Sequence, residues 1–89
     1  MNNLREEILV LKAYVEISGY RLKTLKAIGY DYKIPKVIAK EAGIRPNHIS
    51  KVLRELKDHE LAECINEEAR KGRLYRLTKN GKEILEMVK

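Results

Sequence analysis

The sequence has no Trp, Phe or Gln, only one cysteine, and no apolar run longer than the four residues 8–11. A single cysteine, Cys64, excludes an internal disulfide and a cysteine cluster for zinc. The longest apolar run falls far short of the roughly 20 residues that a membrane-spanning helix needs. The first residues also lack the basic start and the small-residue cleavage site of a secretory signal. We therefore expect a cytoplasmic protein that has no membrane partner and is stabilised by packing.

The composition favours one folded domain. The chain has 89 residues, which allows a single domain over 1–89 and leaves little room for a second. Apolar residues make up 44% of it, enough to build a core although 36% of the residues are charged. The absence of Gln, together with abundant Lys, Glu and Ile, is typical of proteins from thermophiles.

The charge balance is basic, with 19 Lys and Arg against 13 Asp and Glu and a net charge of +6. Small basic domains commonly bind nucleic acid, because phosphate is the most abundant cellular polyanion. A charged surface that only interacts with solvent is the alternative. The excess of positive charge lies entirely after residue 20. A surface that binds nucleic acid is therefore expected in the later segments.

The N-terminal segment fits two patterns. Asn3 followed by Glu6 resembles a helix cap, and helical spacing links four apolar residues, Leu4, Ile8, Leu11 and Val15. The alternation of apolar residues over 9–17 is instead typical of a strand. We favour a helix over 4–17. Because apolar residues surround most of it, this helix is expected to be buried on two sides or to form a partner surface.

Turn and cap residues mark the next element. Ser18 can cap a helix over about 20–28, and Gly29 can end it in the left-handed conformation. The connection 30–34 is short and could hold a brief strand.

Two prolines predict the next pair of helices, because proline suits the first turn of a helix. Pro35 opens a helix over 35–42, and Pro46 opens one over 46–59. Gly43 ends the first of them. The predicted inward residues are Val37, Ile38 and Ala42 in the first helix, Ile44 in the turn, and Ile49, Val52, Leu53 and Leu56 in the second.

The last third of the chain predicts a hairpin and a final helix. Strands are expected over 61–65 and 73–78, joined by a polar loop over 66–72. Thr78 then caps the last helix. The predicted inward stripe of that helix is Gly81, Ile84, Leu85 and Val88.

Helices 35–42 and 46–59, joined by a short turn with a glycine, form a helix-turn-helix pattern. At about 100° per residue, the side of the second helix opposite its apolar stripe holds Asn47, Lys51, Arg54 and Asp58, flanked by His48 and Ser50. Asn, Lys and Arg match the edges of adenine and guanine, whereas Asp58 would repel phosphate. The predicted base-contacting residues are Asn47, His48, Ser50, Lys51 and Arg54, and Arg45 is predicted to join them in binding DNA. A merely solvated polar side is the alternative.

The predicted hairpin carries a second cluster of positive charge. Three cations surround Gly72, namely Arg70, Lys71 and Arg73. A projecting basic hairpin fits the sugar-phosphate backbone or the minor groove. Glu67 and Glu68 on the same loop dilute this charge.

Four segments of the chain resemble archaeal winged helix-turn-helix transcriptional regulators with a MarR/ArsR-like DNA-binding domain. They are residues 20–28 (YRLKTLKAI), 38–44 (IAKEAGI), 49–56 (ISKVLREL) and 72–81 (GRLYRLTKNG). The most specific is the last, a strand ending in Tyr-Arg-Leu-Thr followed by a glycine three residues into the next helix. The resemblance implies a three-helix core with a hairpin wing, DNA binding through 46–57, and usually a homodimer.

The residues offer no catalytic, metal or cofactor site. Ser50 and His48 are two apart on a predicted helix, so their side chains diverge and form no nucleophile and base pair. His48 and His59 lie about 16 Å apart along it, too far to share a metal. No phosphate-cradling glycine loop occurs. We expect a protein that is not an enzyme and needs no metal or cofactor.

The two terminal elements are predicted to pair across a two-fold axis. Residues 1–18 have much apolar surface for the outside of a monomer, and the last helix adds Ile84, Met87 and Val88. A homodimer would set two recognition helices about 34 Å apart, matching successive turns of the duplex. The alternative is that residues 1–18 only cap the core of their own chain.

The sequence thus predicts a mainly α protein with a small β-hairpin wing. The expected architecture is a winged helix-turn-helix over 20–89, preceded by an N-terminal helix and closed by a C-terminal one. The expected function is sequence-specific binding of double-stranded DNA in transcription regulation, with helix 46–59 in the major groove and wing 66–73 on the backbone or in the minor groove. The alternative is a winged-helix interaction module that binds protein or structured RNA.

Overall fold

A computed structural model describes residues 4–89. Over that range the chain is mainly helical, with one two-stranded antiparallel hairpin near its C-terminal end. This order of elements is compatible with a winged helix. The elements are α1 (Leu4–Glu16), α2 (Gly19–Ile28), α3 (Pro35–Ala42), α4 (Pro46–Asp58), β1 (Ala62–Cys64), β2 (Tyr75–Leu77) and α5 (Lys79–Val88).

The N-terminal segment is a helix, as predicted, although apolar residues also alternate over 9–17 as they would in a strand. Ile8 and Val15 are buried where α1 packs on α2 and α5 of its own chain. The opposite side leaves Leu9, Val10 and Ile17 exposed. The cap predicted at Asn3 lies outside the described residues. Helix α1 therefore covers the core with one face and leaves a second apolar face open.

The predicted caps and stops set the bounds of the next helices. The Ser18 hydroxyl accepts a hydrogen bond from the Arg21 amide at 3.2 Å. Helix α2 ends at Gly29 as predicted, but φ 59° and ψ −134° place this glycine outside the predicted left-handed helical conformation. Helix α3 spans the predicted residues and ends at Gly43 in the left-handed conformation, with φ 71° and ψ 32°. Helix α4 ends at Asp58, one residue before the predicted end. Local signals therefore account for most helix boundaries.

The prediction that Val37 points inward is wrong, because 39% of this residue is exposed. The buried stripe of α3 consists of Ile38, Ala39 and Ala42. At 100° per residue, Val37 lies about 150° around the helix from the centre of that stripe. An eight-residue helix packed on one side has no second buried face for it.

The hairpin strands are shorter than predicted. They pair over three residues each, from Ala62 opposite Leu77 to Cys64 opposite Tyr75, instead of over 61–65 and 73–78. One further backbone bond joins Ile65 to Leu74 at 2.9 Å, after which the chain leaves the ladder. We call residues 65–74 the hairpin loop. It is wider than the predicted loop because side-chain contacts replace strand pairing beyond this point.

The connection between α2 and α3 holds one strand-like bridge, in line with the predicted brief strand. The backbone of Lys33 exchanges hydrogen bonds of 3.0 and 2.9 Å with that of Tyr75. The Lys33 ammonium also donates to the Ala27 carbonyl at 2.5 Å and to the Glu41 carboxylate at 2.6 Å. The backbone bonds tie the hairpin to this connection, and the ammonium links the connection to the last turns of α2 and α3.

The core lies between α2, α3 and α4 and is closed by the hairpin and α5. Its predicted residues in α4 and the turn are buried, with Ile44, Ile49, Val52, Leu53 and Leu56 each no more than 6% exposed. Thr78 caps α5 as predicted, accepting from the Gly81 amide at 3.1 Å. Gly81, Ile84 and Leu85 are buried on its inner side, and Val88 is half-buried. Ile84 therefore serves its own core and is not available to a second copy.

None of the helices found over residues 4–89 has the length and apolar character needed to cross a bilayer.

Candidate nucleic-acid interface

Helix α4 presents a polar face to solvent because its apolar residues are confined to one stripe. That stripe is fully used by the core. All the predicted DNA-binding residues of this region are exposed, namely Arg45, Asn47, His48, Ser50, Lys51 and Arg54. The proline-opened first turn of the helix belongs to this surface, since Arg45 is its N-cap residue. The face can therefore meet a ligand without any change in the core.

One edge of α4 borders the hairpin and forms a positively charged cleft with it. The cleft has a volume of about 300 Å³, and its lining residues are Pro35, Ser50, Leu53, Arg54, Lys57, Arg73 and Tyr75. Three of these carry positive charge and none carries negative charge. The structure thus brings two predicted base contacts, Ser50 and Arg54, together with the predicted wing contact Arg73.

The other edge of α4 borders the start of α2 and is less positive. Arg21 pairs with Glu55 at 3.5 Å, and its guanidinium also lies 3.7 Å from the centre of the Tyr14 ring. The His48 ring lies 5.6 Å from the ring of Tyr20, tilted by 46°. These contacts place His48 on the α2 side of the helix, away from the cleft.

The cations of the exposed face are not neutralised by carboxylates. Over residues 4–89, Arg45, Lys51 and Arg54 form no salt bridge, whereas Arg21 on the α2 edge does. A polyanion can therefore approach these three side chains without breaking an existing ion pair. Asp58 is exposed near the C-terminal end of α4 and adds negative charge only there.

Side-chain bonds hold the hairpin loop in shape. The Asn66 side chain accepts from the Leu74 amide at 2.7 Å and donates to the Gly72 carbonyl at 3.1 Å. Gly72 has a φ of 69°, a left-handed conformation that glycine adopts without strain. Arg73 donates through Nε to the Ala69 carbonyl at 2.8 Å. The loop is therefore ordered by its own contacts before it meets any partner.

The remaining predicted wing contacts lie farther out. Arg70 and Lys71 are exposed on the hairpin loop, and neither lines the cleft with α4. Their positions suit contact with an extended partner that passes along the hairpin. Of the two acids that dilute the loop charge, Glu68 is exposed, while Glu67 makes a specific contact.

That contact is an ion pair with Lys57. Lys57 also lines the cleft, whereas Glu67 does not. Hydrogen bonding and opposite charge in this pair lower the pKa of Glu67 and raise the pKa of Lys57. Lys57 was not among the predicted contacts. Its spacing from Ser50 and Arg54, seven and three residues, places all three on one edge of the helix and would have identified it.

The potential metal ligands and the single cysteine bear on chemistry other than nucleic-acid binding. Across residues 4–89, no group of three or more His, Cys, Asp or Glu side chains lies close enough to hold a metal ion. Cys64 is half-buried, and its thiol donates to the Asn66 side chain at 3.5 Å.

Comparison with known proteins gives no relative for the chain. No protein-family model matches it, and no curated protein or solved structure matches it either. A function is therefore inferred from the residues of this chain alone.

Proposed function

We propose that this chain is a winged helix-turn-helix protein that binds double-stranded DNA sequence-specifically and regulates transcription. Helix α4 enters the major groove, and the hairpin loop 65–74 lies on the adjoining backbone or in the minor groove. The observation that carries this proposal is the exposed face of α4. Its cations Arg45, Lys51 and Arg54 are free of salt bridges over the described residues and stand beside a basic hairpin.

The chemistry of α4 suits base reading. The amide of Asn47 can bond adenine through both its donor and its acceptor, and Lys51 can donate to the acceptors of guanine. Both residues lie in the N-terminal half of α4, the part of a recognition helix that goes deepest into the groove.

The hairpin is better suited to phosphate contacts than to base recognition. Arg70, Lys71 and Arg73 are cations on an exposed loop outside the recognition helix, where they can donate to phosphate oxygens of any sequence. The ordered loop presents them as a group, because the Asn66 side chain links the two sides of the loop. Phosphate contacts of this kind set the register of the helix in the groove.

The second partner we propose is another copy of the chain, bound through the open face of α1. Leu9 and Ile17 are 57% and 79% exposed and lie four residues on either side of Ala13. The backbone bond from Ile17 to the Ala13 carbonyl, 3.0 Å long, keeps all three on one helical stripe. Such a stripe is self-complementary, because antiparallel pairing about Ala13 sets each Leu9 against the other copy's Ile17.

A gel-shift assay tests DNA binding. Purified protein is mixed with sheared genomic duplex from its source organism at low and moderate salt, and the bound fragments are sequenced. We expect a complex that weakens steeply with salt and enriches particular fragments. Absence of a shift even at low salt would overturn the proposal. A shift with structured RNA or capture of a protein in its place would support the interaction module.

A further inference from the structure

We propose that the cleft between α4 and the hairpin binds one phosphate group of the DNA backbone, and that Glu67 stands in for that phosphate in the free protein. This inference rests on the proposed function and assigns a role to the ion pair between Glu67 and the cleft residue Lys57. The anion site consists of Lys57 with Arg54 and Arg73. Glu67 supplies the anion when DNA is absent.

The composition of the cleft supports an anionic ligand. Three cations and no carboxylate line it, and Ser50 and Tyr75 add two hydroxyl groups that can donate hydrogen bonds. Its volume of about 300 Å³ leaves room for a phosphodiester group. Neither Arg54 nor Arg73 has a carboxylate partner over residues 4–89. Phosphate oxygens match the donors of two guanidinium groups and one ammonium.

The position of Glu67 supports its role as a substitute ligand. It follows Asn66, whose side chain is bonded to Gly72 and Leu74 on the returning side of the loop, so an ordered backbone holds the carboxylate near α4. Its carboxylate already binds one cation of the cleft, Lys57. A carboxylate bound to one cation of this basic cleft competes with any phosphate that approaches.

A phosphate can readily replace the Glu67 carboxylate at Lys57. The side chains of Lys57 and Glu67 are 44% and 59% exposed, and exposed ion pairs contribute little to folding stability. A phosphate can therefore replace the carboxylate without unfolding the loop. By competing for Lys57, Glu67 lowers the affinity for DNA of every sequence. It does not weaken the base contacts of α4, so these contacts make up a larger share of the total binding energy.

The matched variants Glu67→Gln and Glu68→Gln test this idea, because each removes one negative charge from the same loop. Affinity for a random-sequence duplex is measured over a series of salt concentrations. We expect Glu67→Gln to bind roughly five- to tenfold more tightly at 0.1 M salt and to raise the salt slope by about 0.9, the value of one phosphate contact. Glu68→Gln should tighten binding less and keep the parent slope. Adding Lys57→Ala to Glu67→Gln should abolish the gain.

Equal tightening in the two variants would mean that only net charge matters, and no tightening in Glu67→Gln would mean that the carboxylate does not compete. Either result overturns the inference. A second arm does not need DNA binding: inorganic phosphate is titrated into the parent and Glu67→Gln proteins while backbone amide resonances are followed. We expect the resonances of residues 50, 54, 57 and 73 to shift further in the variant. Absent shifts at these positions would refute the anion site, and equal shifts in the two proteins would refute competition by Glu67. Both results can be read even if the protein fails to bind duplex.

Discussion

The backbone of Gly81 lies directly against the carbonyl oxygen of Leu61. A Cβ placed at position 81 would overlap that oxygen, and would come within 3.2 Å of the Leu77 Cβ. The same Leu61 carbonyl accepts a hydrogen bond from the Thr78 amide at 3.0 Å, so it cannot move away freely. The glycine singled out in the sequence after Tyr-Arg-Leu-Thr thus allows α5 to dock on the end of β2.

Gly81→Ala is expected to destabilise the protein by about 2 kcal/mol or more, because overpacking against backbone costs about 1–3 kcal/mol and occasionally more. Gly19→Ala is the matched control. Nothing lies within 4 Å of a Cβ at Gly19, and φ there is not left-handed, so that change should be neutral or slightly stabilising. Urea unfolding of both variants measures the difference. Equal stabilities would show that α5 does not pack as described.

Thr24→Val is expected to stabilise the protein by about 1 kcal/mol. Thr24 is fully buried in α2, and its hydroxyl has no hydrogen-bond partner over the described residues. An unsatisfied buried hydroxyl costs about 1–3 kcal/mol, which the methyl group of valine avoids at similar volume. Thr24→Ser keeps the hydroxyl and loses a methyl group, so it should destabilise. A valine variant that melts below the parent would mean that the hydroxyl is satisfied.

Ala13→Glu is expected to convert a dimer into a monomer. It sets two carboxylates near the two-fold axis of the proposed α1 pairing, while glutamate preserves helix propensity. Light scattering at tens of micromolar should report a dimer for the parent and a monomer for the variant, with equal helix content by circular dichroism. Lys23→Glu on the exposed side of α2 should leave the dimer intact. A monomeric parent would refute the pairing and leave α1 as a cover for its own core.

The triple variant Arg70→Ala/Lys71→Ala/Arg73→Ala is expected to weaken binding to selected and random duplexes alike. Each lost phosphate contact should reduce the salt slope by about 0.9. The control replaces three exposed cations outside the proposed interface, Lys23, Lys79 and Lys82, and removes the same net charge. If the hairpin variant binds as tightly as the parent, the loop points away from DNA.

Much of the fold could be predicted because it depends on neighbours in the sequence. Pro35 and Gly43 bound α3 at the predicted residues, and Ser18 and Thr78 accept the predicted capping bonds. The ambiguous N-terminal segment also formed the favoured helix, α1, since its residues Ile8 and Val15 bury against other helices. In each case the deciding contacts lie within about four residues or along one helical face.

What could not be predicted depends on contacts between distant segments. Val37 fits an apolar pattern but faces solvent because only one side of α3 meets other helices. The strand ends were misplaced because the Asn66 side chain, and not the backbone ladder, organises the loop. The Lys57–Glu67 pair joins two elements across a chain reversal. No local periodicity encodes it.

The measurement that tests the central claim most directly is sequence discrimination by α4. The affinities of the parent and of Asn47→Ala/Lys51→Ala for a selected duplex and for its scrambled counterpart are compared by fluorescence anisotropy. Arg54 is kept because it also lines the phosphate cleft. Each base contact contributes about 1–3 kcal/mol of discrimination, so we expect the preference of the variant to fall at least tenfold. A preference equal to that of the parent would contradict base reading by α4 and favour the interaction module.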